Sequence, residues 1–262
     1  MRIVVLIKEV PDSAAKPSLN IETGLTVRQE TDNAIDEINE RALEAALRLA
    51  EKSENSEVAL LSLSPASGEA VLRRGLAIGA DSATHICDPL LVGADLGLTA
   101  RALSASLQTT EFDLVIAGNS SSDSGTGAIP FMLSEILGIP CVTGLSSLEH
   151  VDSQSFLATR NTETNVETLK VAYPAIVTIT ESFPECRHPN FKGILAAKKK
   201  PLQAHNLSDL GLEINPEAVA YSVVLSASQR PSRAAGVKIV DSGSAAKELA
   251  HFLMSKGLLD RG

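Results

Sequence analysis

The sequence has no tryptophan, two tyrosines and six phenylalanines among 262 residues. Aromatics at 3% leave little material for stacking successive bases or for caging a cationic ligand. Basic charge is scarce too: 23 Lys and Arg stand against 32 Asp and Glu, for a formal net charge of −9 and a pI near 5.1. Phosphate-backbone binding needs a basic face, and the run Lys198-Lys199-Lys200 is too short to reverse that sign, so nucleic acid is excluded as a partner. Cys87, Cys141 and Cys186 lie far apart with no C-x-x-C spacing, which supports neither a disulfide framework nor a zinc site. No apolar stretch reaches membrane-spanning length, and Arg2-Ile3-Val4-Val5-Leu6-Ile7 lacks the long apolar core and cleavage site of a signal peptide. A cytoplasmic chain without membrane insertion is expected.

Several catalytic signatures are missing as well. The first apolar run leads into Lys8-Glu9-Val10-Pro11-Asp12 rather than G-x-G-x-x-G, which disfavours a standard dinucleotide dehydrogenase. His85, His150, His188, His205 and His251 are scattered, and none shares a local motif with a Ser or Cys nucleophile. No catalytic residue and no metal ligand is assigned on this basis.

What is present is a hydrophobic fraction of 44%, arranged in βαβ grammar over the first two-thirds. Ile3 to Lys8, Val58 to Leu63, Thr84 to Cys87 and Leu114 to Gly118 predict strands, apolar enough for a parallel sheet covered on both faces. Helices are predicted from Asp36 through Ala50 and at Gly68 to Ile78, Leu96 to Leu107 and Ala128 to Leu137. Glu37 with Arg41 and Glu44 with Arg48 are i,i+4 pairs in the favourable orientation. From Phe156 the texture changes: Phe156 to Arg160 and Glu167 to Val171 read as a hairpin around Asn161 to Asn165, followed by a buried strand at Ala175 to Ile179. The fold class is therefore α/β, a mostly parallel sheet with helices on both faces plus a hairpin. Residues 1–220 form the α/β domain. Residues 221–262 read as a C-terminal arm, because Ser222 to Gly236 has too little apolar periodicity for a core and only Ala245 to Met254 reads as a helix.

Two segments carry functional signals. The loop Gly118-Asn119-Ser120-Ser121-Ser122-Asp123-Ser124-Gly125-Thr126-Gly127 follows a buried strand and precedes a helix, where glycines permit close backbone approach and hydroxyls add donors to an anion. It lacks the G-x-x-x-x-G-K-[ST] run and its lysine, so phosphate binding without hydrolysis fits it better; the alternative is an ordinary polar turn. Asp36, Glu37, Asn39 and Glu40 crowd a helix start, where capping is favoured over acid–base chemistry. The second segment, Phe191-Lys192-Gly193-Ile194-Leu195-Ala196-Ala197-Lys198-Lys199-Lys200, is bracketed by Pro184, Pro189 and Pro201. Proline disfavours helix and central strand, so residues 184–200 read as a surface loop. Phe191, Ile194 and Leu195 beside three lysines offer another protein an apolar anchor with a charged rim; a buried crossover is the other reading.

The chain resembles, over nearly its full length, the β subunit of electron transfer flavoprotein, most closely the actinobacterial type. The resemblance rests on Ile3 to Asp12, Asp36 to Glu44, Ala117 to Asp123 and Phe191 to Lys200, with Ala77-Ile78-Gly79-Ala80-Asp81 between them. It implies an α/β fold of the adenine-nucleotide-hydrolase-like type and an α-subunit partner that holds most of a redox-active FAD. It implies an electron carrier rather than an enzyme, accepting electrons from flavin dehydrogenases such as acyl-CoA dehydrogenases and passing them to a quinone-linked oxidoreductase. A structural AMP is implied at Leu6, Asp36, Glu37, Ile38, Asn39 and Leu63, and along Gly118, Ser121, Ser122, Asp123, Ser124, Gly125, Thr126, Gly127, Ala128 and Ile129. Ser13 and Ile38 are implied to face the flavin, and residues 184–200 to be the recognition loop that grips dehydrogenases. One departure is Ala128-Ile129-Pro130, where many members have Gln-Thr-Gly or Gln-Val-Gly. This leaves AMP, a second FAD of an electron-bifurcating type, or weak occupancy open, while an ATP-using enzyme or universal-stress-type nucleotide binder of similar fold is the alternative from another class.

Overall fold

A computed structural model describes residues 1–12, 18–27, 33–53, 55–213, 222, 224–228 and 230–259. Eleven strands and six helices are found among them: β1 (Arg2–Leu6), β2 (Glu9–Pro11), β3 (Asn33–Ile35), α1 (Glu37–Glu51), β4 (Glu57–Leu63), α2 (Gly68–Ile78), β5 (Ser82–Ile86), α3 (Leu96–Gln108), β6 (Leu114–Gly118), α4 (Ile129–Leu137), β7 (Cys141–Asp152), β8 (Ser155–Asn161), β9 (Val166–Ala172), β10 (Ala175–Ile179), α5 (Phe191–Ala197), β11 (Leu202–His205) and α6 (Ala245–Ser255). Nine strands make one sheet in the order β11-β5-β4-β1-β6-β10-β7-β8-β9. Pairing is parallel from β11 to β7 and antiparallel between β7, β8 and β9. The mostly parallel α/β sheet and its hairpin are thus as the sequence predicts.

Period-2 alternation divides the core. Ile3, Val5, Val58, Leu60, Leu114 and Ile116 face α1 and α2, whereas Val4, Ala59, Leu61, Val115 and Ile176 face α3 and α4. Both faces are apolar because both are covered by helices. β7 has no counterpart among the predicted strands. Its Thr143, Gly144, Ser146 and Ser147 interrupt any apolar run, and only Leu145 along it is buried; its place is fixed by β10 on one side and β8 on the other.

The segment expected to be a loop contains a two-turn helix. Asn190, directly after Pro189, accepts the Gly193 N–H at 2.8 Å and caps α5, and Pro201 follows its end, so the prolines delimit a helix rather than forbid one. Gly193 lets α5 lie flat on α2: a Cβ there would stand 2.3 Å from the Ala77 carbonyl oxygen. Nor do the three lysines form one solvated rim. Lys198 and Lys199 are exposed, but the Lys200 ammonium donates to the carbonyls of Leu76, Gly79 and Ala80 at 3.0, 3.4 and 2.6 Å, satisfying the C-terminal end of α2.

Met1–Ala227 forms one compact unit and Ser228–Gly262 another. The second contains α6, which buries none of its residues and exposes Leu249, Phe252 and Met254. No helix among the described residues is long and apolar enough to cross a membrane.

Candidate functional site

β1 lies between β4 and β6, so the crossovers leaving the centre of the sheet diverge there, and the ends of β1 and β6 open a crevice at this switch point. Three segments line it: Lys8 after β1, residues 36–39 at the start of α1, and the loop after β6. Gly118 is needed because α1 passes close by. A Cβ on it would meet Ile38 Cγ2 at 2.5 Å and Asn39 Nδ2 at 3.1 Å. Ile38 itself is buried in the core. Asn39 fastens β1 to α1, its Oδ1 accepting the Lys8 N–H at 2.8 Å.

Asp36 does not cap α1 with its side chain. Its buried carboxylate instead reaches across to accept the Ser122 N–H at 2.9 Å. Burial pushes this carboxyl above its ordinary value, with the Ser122 hydrogen bonds opposing the rise and neighbouring Asp123 adding to it. Glu37 points outward, its side chain 80% exposed and 3.4 Å from Arg41.

The loop lacks a lysine of its own, but the fold brings one from the segment that follows β1. Lys8 Nζ donates to Asp123 Oδ1 at 2.5 Å, Ser121 Oγ at 3.2 Å and Ser124 Oγ at 3.4 Å, and the two hydroxyls lie 2.7 Å apart. No local motif could reveal this, since 113 residues separate Lys8 from Ser121. The turn closes through Gly125 N–H to the Ser121 carbonyl at 2.8 Å. Gly127, at φ +63°, sits where a Cβ would be 2.6 Å from the Asn119 carbonyl oxygen, so both the backbone conformation and the close approach demand glycine. Asn119 Oδ1 is buried without a hydrogen-bond partner. Ser122 and Thr126 are exposed, while Leu6, Leu63, Ala128 and Ile129 are half-buried at the neighbouring element ends. Of the predicted residues, Ser13 lies outside the described ones.

Sequence spacing also hides a Ser–His pair. Ser64 Oγ and His85 Nε2 are 3.0 Å apart and buried, but the same Nε2 lies 3.1 Å from the Ser64 carbonyl oxygen. In the tautomer that donates its Nε2–H to that carbonyl, the imidazole cannot take the hydroxyl proton. The pair is packing at the start of α2, where a Cβ on Gly68 would be 1.9 Å from Ser64 Oγ.

On the α1–α2 side, α5 presents Phe191, Ile194 and Leu195, 76%, 46% and 49% exposed. Arg187 ties the preceding segment to α1, donating to Glu44 Oε2 at 2.9 Å and to Glu51, and Arg41 donates to the Phe183 carbonyl at 2.5 Å. Arg73 bonds the Ala197 and Lys200 carbonyls at 3.0 Å each. The apolar anchor thus rides on a braced two-turn helix.

Fold and crevice together define a doubly wound α/β protein with a polar, lysine-bearing cradle at the switch point of its sheet. The Electron transfer flavoprotein domain family matches residues 23–210. Electron transfer flavoprotein subunit beta of Mycobacterium leprae is 36% identical over 264 residues, covering 98% of this chain and 99% of the relative. The Bacillus subtilis protein of the same name is 32% identical over 98% of each chain. The caffeyl-CoA reductase-Etf complex subunit CarD of Acetobacterium woodii is 28% identical over 98% and 97%. The chain belongs to the electron transfer flavoprotein family, on its β-subunit side.

Proposed function

We propose that the chain is one half of a heterodimeric electron carrier whose α subunit holds most of the FAD, and that its own cradle binds AMP as a structural nucleotide. The observation that carries this reading is the convergence of Lys8, Ser121 and Ser124 on one point beside the glycine-only turn at Gly127. This donor set suits a phosphate, and the orphaned acceptor Asn119 Oδ1 suits an amino or hydroxyl group of a nucleoside. Lys8, Ser121, Ser122, Ser124 and Thr126 would hold the phosphate end, while Leu6, Asp36, Ile38, Asn39, Leu63, Ala128 and Ile129 border the remainder.

Charge favours a monophosphate. The ammonium of Lys8 is already shared with Asp123, and Asp36 adds a second carboxylate. A diphosphate would bring further negative charge to a cradle with one cation among its described residues. The similarity to CarD is what favours a second reading, FAD in this cradle as in a bifurcating type.

FAD, when bound, supplies the redox chemistry. The chain's part is to cover and orient it, with Ser13 and Ile38 on the flavin side and the C-terminal arm against the α subunit. Phe191, Ile194 and Leu195 dock flavin dehydrogenases for brief exchange, and a quinone-linked oxidoreductase takes the electrons onward. A small apolar anchor with exposed lysines fits a transient contact better than a large dry one. Mass spectrometry of nucleotides released by acid from the co-purified heterodimer tests the cradle: about one AMP per heterodimer is expected, reduced in Lys8→Ala. A second FAD, or AMP unchanged in that variant, would refute the assignment.

A further inference from the structure

α4 departs from the rule that a helix at a protein surface keeps a polar side. Ile129, Leu133 and Leu137, spaced by four, turn toward the sheet and pack with Ile176 and Cys141, the stripe expected of a covered face. The side turned away should be polar, yet it carries Phe131, Met132 and Ile136, with Glu135 the one charged residue of the helix. Phe131 and Ile136 are 55% and 43% exposed. Ser134 adds no polarity outward, since its hydroxyl donates to the Ile139 carbonyl at 2.6 Å. A helix apolar on nearly every side is a buried helix, so this one belongs under another surface.

The open surface continues past it. α4 packs on β10 and β7, and beyond them β8 and β9 turn Leu157, Thr159 and Thr168 to the same side, because Phe156 and Ala158 between them point into the core under α1. Leu157 and Thr159 are half-buried and Thr168 is exposed. A flat strip of sheet with short side chains thus borders the apolar helix.

Resting on the reading of the chain as one half of a heterodimer, we propose that α4, with this strip of β8 and β9, is the seat of the α subunit. Two features name that occupant. α4 starts at Ile129, where the cradle loop ends, and the crevice there is also bordered by Ile38, assigned to the flavin side; a subunit that brings its flavin to Ile38 lies beside α4. The docking helix α5 is on the other face of the sheet, against α2, so a permanent partner on α4 leaves it free for exchange. Permanent interfaces are the more apolar kind. α4 has that composition, whereas Lys192, Lys198 and Lys199 surround the anchor on α5.

Sedimentation velocity of the chain mixed with its α subunit tests this. Phe131→Asp and Ile136→Asp should each weaken association about tenfold or more, the loss of one central interface anchor, whereas Ile194→Asp on α5 should leave it unchanged. Both side chains are exposed, so the Tm of the full chain alone should stay within about 2 °C of the parent. Hydrogen exchange gives a readout without substitution: peptides covering α4 should gain protection when the α subunit is added to the chain. Association unchanged by both substitutions, protection of α4 that instead rises with the concentration of the chain alone, as for a second copy, or protection lost on deleting residues 228–262, as for its own C-terminal helix, would each overturn the seat at α4 and leave the heterodimer standing. A parent chain that forms no complex with the α subunit would overturn both.

Discussion

Replacing Arg187 by alanine isolates what ties the segment before α5 to α1. Glu44, whose side chain is 3% exposed, accepts from Arg187 Nε at 2.9 Å and Nη2 at 3.2 Å, from the residue 187 backbone N–H at 3.1 Å and from Arg48 Nε at 2.6 Å. The substitution removes the first two bonds and the link to Glu51, and spares the other two. A hydrogen bond to a charged group contributes about 1.5–3 kcal/mol, and a buried charge stripped of its partner costs about 3–5 kcal/mol. With half of the bonds retained, and with Arg187 itself 37% exposed and partly screened, a loss of about 2 kcal/mol is expected. At ~2–4 °C per kcal/mol for a domain of this size, Tm should fall by about 4–8 °C.

The pH dependence has a definite sign. Burial alone would raise the Glu44 carboxyl, but hydrogen bonds from Arg187 and Arg48 outweigh it and hold the group below its ordinary 4.5. A depressed carboxylate stabilises the fold fully above 4.5 and loses that contribution as pH falls through the lower folded value. Thermal melts followed by circular dichroism should therefore show the gap between Arg187→Ala and the parent widest near neutrality and narrowing in acid. A variant that melts within 1 °C of the parent at pH 7, or a gap that widens toward acid, would refute the reasoning.

Gly193→Ala introduces a Cβ 2.3 Å from the Ala77 carbonyl oxygen, so α5 must lift from α2. Overpacking of this kind costs about 1–3 kcal/mol, and hydrogen exchange should show faster opening confined to α5 and its neighbours. Unaltered exchange there would contradict the close-packed geometry. Phe191→Ala removes a side chain that is 76% exposed, so Tm should stay within about 1 °C. Flavin content should also hold, while stopped-flow reduction by a flavin dehydrogenase slows; unchanged transfer kinetics would remove Phe191 from the docking face.

Strands buried on both faces and helices with a clear apolar stripe were legible in the sequence, since β1, β4, β6 and β10 are predominantly apolar and α2 spans Gly68–Ile78 as its pattern predicts. β7 was illegible because its pairing, not its composition, makes it a strand. Prolines misled at α5, where Pro189 and Pro201 mark the limits of a helix whose cap is Asn190. The polar loop after β6 was recognisable as a cradle, but its cation was not: Lys8 reaches it only because β1 and β6 are adjacent. Asp36 shows the same limit, since a helix-start carboxylate reads as a cap until the Ser122 N–H opposite it is placed.

The most direct measurement is the absorbance spectrum of the chain co-expressed and co-purified with its α subunit after FAD loading. A one-to-one heterodimer with a flavin spectrum of about one redox-active FAD, bleached by a reduced flavin dehydrogenase, is the predicted result. A colourless pair after full cofactor loading would contradict the carrier assignment.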